Sequence, residues 1–262
     1  MQRALAAVIA DPWADRPRDY FADAVEPSDP QRASFIREQL AIARARRAAG
    51  VRRKAVEADA LGAGLPGLTH GARWSSGIAA LLGYDGKNGV PWRFRRGFVE
   101  GVTLSAGHFL RVAPSLYARA PILDLTLTDV RPFAAQLFAS PHLARIRSLD
   151  LSVAAIGDAE VLQLSRSRQL GKLRWLSLYF NQVTDAGVES LAAARAALPS
   201  LRFVRLDGNP CSDPNPVPEE EDGRVYGLSR SAFGAELCSR HGAIPWIGDN
   251  PSGDPPDPET FG

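Results

Sequence analysis

The chain is poor in the side chains that hold metals and disulfides: its 262 residues include two cysteines and four histidines. Cys211 and Cys238 lie 27 positions apart with no Cys or His close enough to complete a four-ligand set, and His70, His108, His142 and His241 are scattered. Structural zinc needs clustered ligands, so this spacing argues against a metal site. Cys238 and His241 fall three apart on one expected helix, which suits a structural thiol beside a surface imidazole better than a nucleophile and its base. The glycine-rich stretch 62–71 lacks the Lys-Ser/Thr that would cradle a phosphate. Two cysteines make no disulfide framework, and a reducing cytoplasm is the simplest setting. No run of about 18 apolar residues occurs, which speaks against a membrane span. Met1–Ala10 is apolar but stops at Asp11-Pro12-Trp13, and it reads as a mature helix rather than a signal peptide. Nothing in the chain converges as catalytic groups must, so the expectation is a protein without enzymatic activity, cofactor or metal.

Charge of one sign is also scarce overall, at a formal net +2. Its distribution is uneven. Residues 32–54 hold eight basic residues (Arg32, Arg37, Arg44, Arg46, Arg47, Arg52, Arg53 and Lys54) against the single acid Glu38, a local +7. Residues 249–262 hold four acids and no base, with Pro251, Pro255, Pro256 and Pro258, and read as a disordered tail. The patch Arg44, Arg46, Arg47, Arg52, Arg53 and Lys54 could meet phosphates, but no aromatic residue interleaves it, and a solvated helix face is the commoner meaning of such a run.

What the chain does have is internal repetition. Leu173-Arg174-Trp175-Leu176-Ser177-Leu178-Tyr179-Phe180-Asn181 returns as Leu201-Arg202-Phe203-Val204-Arg205-Leu206-Asp207-Gly208-Asn209. The same hydrophobic spacing occurs at Val99/Val102/Leu104, Ile122/Leu125/Leu127 and Ile146/Leu149/Leu151. The central residues Val102, Leu125, Leu149, Leu176 and Val204 are separated by 23, 24, 27 and 28 positions. A second apolar block with helical spacing fills each interval, so each repeat is expected to be one strand plus one helix. Asn181 and Asn209 stand where the chain must turn after the strand, and their amides can bond the turn backbone and stack from repeat to repeat. The third repeat has Ala154 at that place.

Around the repeats, Ala4, Leu5, Val8 and Ile9 share one helical face, and Phe35, Ile36, Leu40 and Ile42 suit a helix running toward Ala49 with Gly50 as its stop. Residues 61–91 contain eight glycines and read as a connector with one short helix near Ile78–Leu82, docked by Trp74 and Tyr84. Trp92 and Phe94 should cap the first coil, and a helix over 229–241 with Trp246 should close the last.

The phrase Leu-x-x-Leu-x-Leu-x-x-Asn, followed by Thr184-Asp185-Ala186-Gly187-Val188, resembles the ribonuclease-inhibitor type of leucine-rich repeat. The stretch Ala4–Arg47, carried by Leu5–Pro12, Arg16–Asp23 and Asp29–Gln39, resembles a repeat-companion domain that precedes such repeats in bacterial proteins. Trp92–Glu100 and Gly234–Trp246 are similar to that family's entry and closing segments. The resemblance implies an α/β leucine-rich repeat solenoid, a horseshoe of about five strand-helix coils behind a small helical domain. Its parts would be a helical domain 1–60, a connector 61–91, repeats 92–210, a loop and cap helix 211–248, and the tail 249–262. It further implies a non-enzymatic interaction protein of bacterial origin.

Strand alternation places the residues between the core hydrophobes on the inner face of such a solenoid. That face would present Asp124, Asp150, Trp175, Tyr179, Phe203, Arg205 and Asp207. Rigid aromatics beside an arginine are the usual anchors of a protein interface, so a protein partner bound there is the leading reading. A loop over 210–228 covering the aromatics is the alternative. Two other functions stay open: a regulatory or sensing subunit of a larger bacterial assembly, defence systems among them, and nucleic-acid binding through 32–54.

Overall fold

In the computed structural model the described residues are 1–49, 65–87, 89–212, 220–221, 224–225 and 231–247, the side chains of 46–49, 65–70, 220–221 and 224–225 excepted. The expected tail 249–262 and the basic residues Arg52, Arg53 and Lys54 lie outside this description, as do the side chains of Arg46 and Arg47. The fold is α/β, with a six-stranded, mostly parallel sheet in the order β1-β2-β3-β4-β5-β6. Its strands are β1 (Trp92–Arg95), β2 (Phe98–Ser105), β3 (Asp124–Thr128), β4 (Ser148–Asp150), β5 (Trp175–Ser177) and β6 (Phe203–Arg205). The described residues divide into two compact units, one within 1–104 and 111–125, the other within 105–110 and 126–247.

The first unit begins with three helices whose apolar spacing sets their buried faces. Helix α1 (Gln2–Ala10) buries Ala4 and Val8, and α2 (Arg16–Val25) buries Phe21, Ala22 and Val25. Helix α3 (Pro30–Ala49) starts where the Asp29 carboxylate accepts the Arg32 amide at 3.0 Å, satisfying one of the free N–H groups of the first turn. Its Ala33, Ile36 and Leu40 join the same cluster, closed by Phe98 of β2, whose ring meets Phe21 edge-on at 5.1 Å. Glu100 of β2 takes two buried arginines, Arg18 at 2.5 Å and Arg96 at 3.1 Å. The β1–β2 hairpin turns on Arg96 and Gly97, both left-handed at φ 44° and 82°, the pairing that matches strand twist. A β-carbon at Gly97 would stand 2.8 Å from the Ile36 Cα, so the hairpin tip and α3 approach as closely as backbone allows.

The connector differs from its reading. In place of one short helix near 78–82, α4 runs over Leu65–Leu82. Glycines in a helix cost about 1 kcal/mol each relative to alanine, and packing overrides that cost here. Trp74 stacks on Phe35 at 5.1 Å and donates its Nε1 to Asp29, while Gly71 leaves room for Phe94 at 3.6 Å. Tyr84, past the left-handed Gly83, meets Trp92 edge-on at 5.0 Å. Both aromatics thus anchor the segment. Arg32 is buried among rings, its guanidinium 4.6 Å from Trp74, 5.3 Å from Phe98 and 5.6 Å from Phe94. Burial pushes its pKa down to about 9, which leaves it charged at neutral pH.

In the second unit strands and helices alternate: α6 (Ala134–Ala139), β4, α7 (Asp158–Ser165), β5, α8 (Asp185–Ala193) and β6; α5 (Ala106–Tyr117), earlier in the chain, has its first turn in this unit and the rest in the first. The parallel register sets Leu149 beside Leu176 beside Val204, so the aligned phrases become adjacent rungs. Ile146, Leu173 and Leu201 form one fully buried row and Leu151, Leu178 and Leu206 another. The Asn181 amide links neighbouring rungs: its oxygen accepts the Ala154 and Ile156 amides at 3.1 and 3.0 Å, and its nitrogen donates to the Leu151 and Leu178 carbonyls. Asn209 does the same one rung on, to Val183 and Leu178. A second link joins the helix starts. Asp158 accepts from the Thr184 amide and hydroxyl, and Asp185 from the Ser212 amide and hydroxyl. Thr184 caps α8 through the Ala186 amide. Helix α9 (Ala232–His241) is capped by Ser231 and held to α8 by Glu189, which meets both Arg240 and His241.

Candidate functional strand face

Strands β4–β6 bring one side-chain row of each repeat to a common face, but at different depths. Trp175 and Phe203 stack nearly parallel, centroids 6.0 Å apart, and are only 8% and 3% exposed. The open aromatic patch expected there is therefore corrected: these two rings form a buried floor, because stacking on adjacent rungs removes them from water. The Trp175 Nε1 is buried and has no hydrogen-bond partner among the described residues. Asp124 is also buried rather than presented, 3.6 Å from Arg95.

What remains at the surface lies toward the C-terminal ends of the strands. Arg205 lays its guanidinium 4.0 Å over the Tyr179 ring while its Nε donates to Asp207 at 2.5 Å. Phe180 meets Tyr179 edge-on at 4.8 Å and is 58% exposed. Beside them Asp150 accepts the Ser152 hydroxyl at 2.5 Å, and that hydroxyl lies 2.8 Å from the Ser177 hydroxyl. A cation clamped between a carboxylate and a ring is held in one orientation, which lowers the entropy lost on binding.

Sequence reading missed one feature of this edge. Asp129, Val153, Phe180 and Gly208 each follow the central hydrophobe by four positions, and all four have left-handed backbone, φ 49°, 55°, 52° and 73°. Val153 is 72% exposed. Two large apolar side chains thus stand in solvent on backbone that disfavours them, a β-branched one included. Only the glycine at 208 signals such a conformation in sequence, and Phe180 uses the room: a β-carbon at Gly208 would meet its Cδ2 at 2.6 Å.

Of the basic patch, the side chain of Arg44 alone is described, and it is paired, as is Arg37 earlier on the same helix. Arg37 holds Glu26 and Asp23, both at 2.8 Å, and Arg44 holds Asp15 at 3.0 Å and Asp19 at 2.6 Å. The bonds to Glu26 and Asp23 raise the Arg37 pKa, and the Arg37 hydrogen bond in turn lowers that of Glu26. Among the described residues no three His, Cys, Asp or Glu side chains assemble as a metal ion would require, and no helix is long and apolar enough to cross a membrane. Comparison with family models, curated proteins and solved structures finds no match to this chain.

Proposed function

We propose that this chain is a leucine-rich-repeat-type recognition protein, its coils stacked as a solenoid, that binds a protein partner without catalysis. The contact would centre on Tyr179, Phe180 and Arg205, rimmed by Val153, Asp150 and Asp207. The observation that carries this reading is the Arg205–Tyr179–Phe180 cluster, an exposed aromatic edge joined to an oriented guanidinium on adjacent rungs. Tyrosine and arginine dominate the energetics of protein interfaces, and truncating such a residue costs about 2 kcal/mol or more of binding. Trp175 and Phe203 would support the contact from beneath.

The test is affinity capture from lysate of the source cells, with partners identified by mass spectrometry. Wild type and a Tyr179→Ala/Phe180→Ala variant of equal thermal stability are compared. A partner captured by wild type and lost from the variant supports the strand face; undiminished capture by the variant removes it.

A further inference from the structure

The opposite ends of the same strands carry a different chemistry. Each connection from a helix into β4, β5 and β6 (residues 140–147, 166–174 and 194–202) contains arginine or lysine and no acid. At the last position but one before the central hydrophobe stand Arg147, Arg174 and Arg202. Their backbones are direct neighbours: the Arg174 and Trp175 amides donate to the Arg147 carbonyl at 2.8 and 3.0 Å, and the Arg202 and Phe203 amides to the Arg174 carbonyl at 2.9 and 3.1 Å. Three arginines therefore stand on backbones of adjacent rungs, about 4.8 Å apart.

The first unit shows how this protein treats a cation it uses internally. Arg18, Arg37, Arg44, Arg73 and Arg96 all hold carboxylates. By contrast Arg166, Arg168, Lys172 and Arg174 make no ion pair among the described residues, and Arg202 bonds only the Pro199 and Leu201 carbonyls. The C-terminus of α7 accounts for Arg166 through the helix dipole. It does not account for Lys172 or Arg174.

We propose that this edge is a docking surface for an acidic, Asp/Glu-rich peptide segment of another protein, distinct from the Tyr179 face and independent of it. Three observations favour a peptide over nucleic acid. The row spans only about 10 Å over its three rungs, short for a phosphate track. No exposed aromatic ring among the described residues accompanies it, since Trp175 and Phe203 next to Arg174 and Arg202 are buried, so bases would find no ring there to stack on. An extended chain presents same-face carboxylates about 7 Å apart, within reach of arginine forks on successive rungs.

The experiment is fluorescence anisotropy at low ionic strength with a fluorescein-labelled oligo-glutamate peptide and, separately, an oligo-thymidylate of equal charge. Three proteins are compared: wild type, Lys172→Glu/Arg174→Glu, and Arg3→Glu/Arg16→Glu, which makes the same change in net charge in the first unit. Wild type should bind oligo-glutamate in preference to oligo-thymidylate, with affinity lowered about tenfold or more in the edge variant and unchanged in the other. Absence of binding, equal weakening in both variants, or preference for oligo-thymidylate overturns the proposal, the last in favour of a nucleic-acid surface. Should circular dichroism show the glutamate pair unfolded, Lys172→Gln/Arg174→Gln takes its place under the same criteria.

Discussion

Replacing Asn181 by alanine tests the link between the repeat phrase and the parallel pairing of its strands. The side chain is 7% exposed and its amide bonds five backbone groups at once: the Ala154 and Ile156 N–H groups and the Leu151, Leu178 and Tyr179 carbonyls, the last at 3.3 Å. Ala154 and Ile156 are themselves buried, so water cannot readily replace the lost acceptor. A buried donor without a partner costs about 1–3 kcal/mol, and carbonyls somewhat less, which puts the loss near 3–5 kcal/mol. Asn209 gives the internal comparison. It is partly exposed, its oxygen accepts one amide, that of Val183, and its nitrogen serves the Leu178 and Leu206 carbonyls. Its alanine variant should lose about 1–2 kcal/mol. Guanidinium unfolding followed by far-ultraviolet circular dichroism reads both, as midpoint shifts at unchanged slope. A loss below about 1 kcal/mol at Asn181, or equal losses at the two positions, would refute the inference that the amide holds rung to rung.

Gly187→Ala should cost about 1–3 kcal/mol, because the new β-carbon would stand 2.5 Å from the Asp158 carboxylate and 2.6 Å from Val183; in an Asp158→Ala background the penalty should shrink in the same unfolding assay. Glu100→Gln leaves Arg18 and Arg96 without their shared buried anion and should destabilise the first unit by about 3–5 kcal/mol, measured by thermal unfolding. Val153→Asn should stabilise by about 0.5–1 kcal/mol, since asparagine tolerates left-handed backbone, while weakening any partner of the Tyr179 face; a destabilised variant would refute the strain argument. Burial raises the Asp29 pKa, but hydrogen bonds from Trp74 and the Arg32 amide and the charge of Arg73 outweigh it, so the folded value lies below the ordinary one. Stability from Asp29 is then complete above the ordinary carboxylate value of 3.8 and is lost as pH falls through the lowered one, and Asp29→Asn should flatten the acid side of the melting-temperature profile.

The features legible in the sequence are those in which side-chain pattern determines backbone. Period and spacing locate the rungs of β4, β5 and β6, and the two asparagines declare their task because an amide in that turn has few other uses. Helix α4 was hidden because its glycines lower local propensity, while the stacking of Trp74 on Phe35 that overrides them is a contact between residues 39 positions apart. The depth of Trp175 and Phe203 was hidden for a related reason: alternation assigns a face, but whether two rings on neighbouring rungs stack shut or stand open depends on what lies across them. A run of basic residues along a helix is conspicuous in sequence, yet Arg37 and Arg44 are neutralised by acids 11 to 29 positions away. Arg147, Arg174 and Arg202 lie 27 and 28 positions apart in sequence and become a row only when parallel pairing brings the repeats together. Left-handed backbone at Val153 and Phe180 is the least legible of all, since valine and phenylalanine avoid it and nothing local asks for it. It is fixed instead by rungs on either side, the Val153 amide donating to the Tyr179 carbonyl and the Phe180 amide to the Asp207 carbonyl, each at 2.9 Å. Strain imposed by strand pairing on exposed apolar residues holds them outward against both local preference and hydrophobic burial.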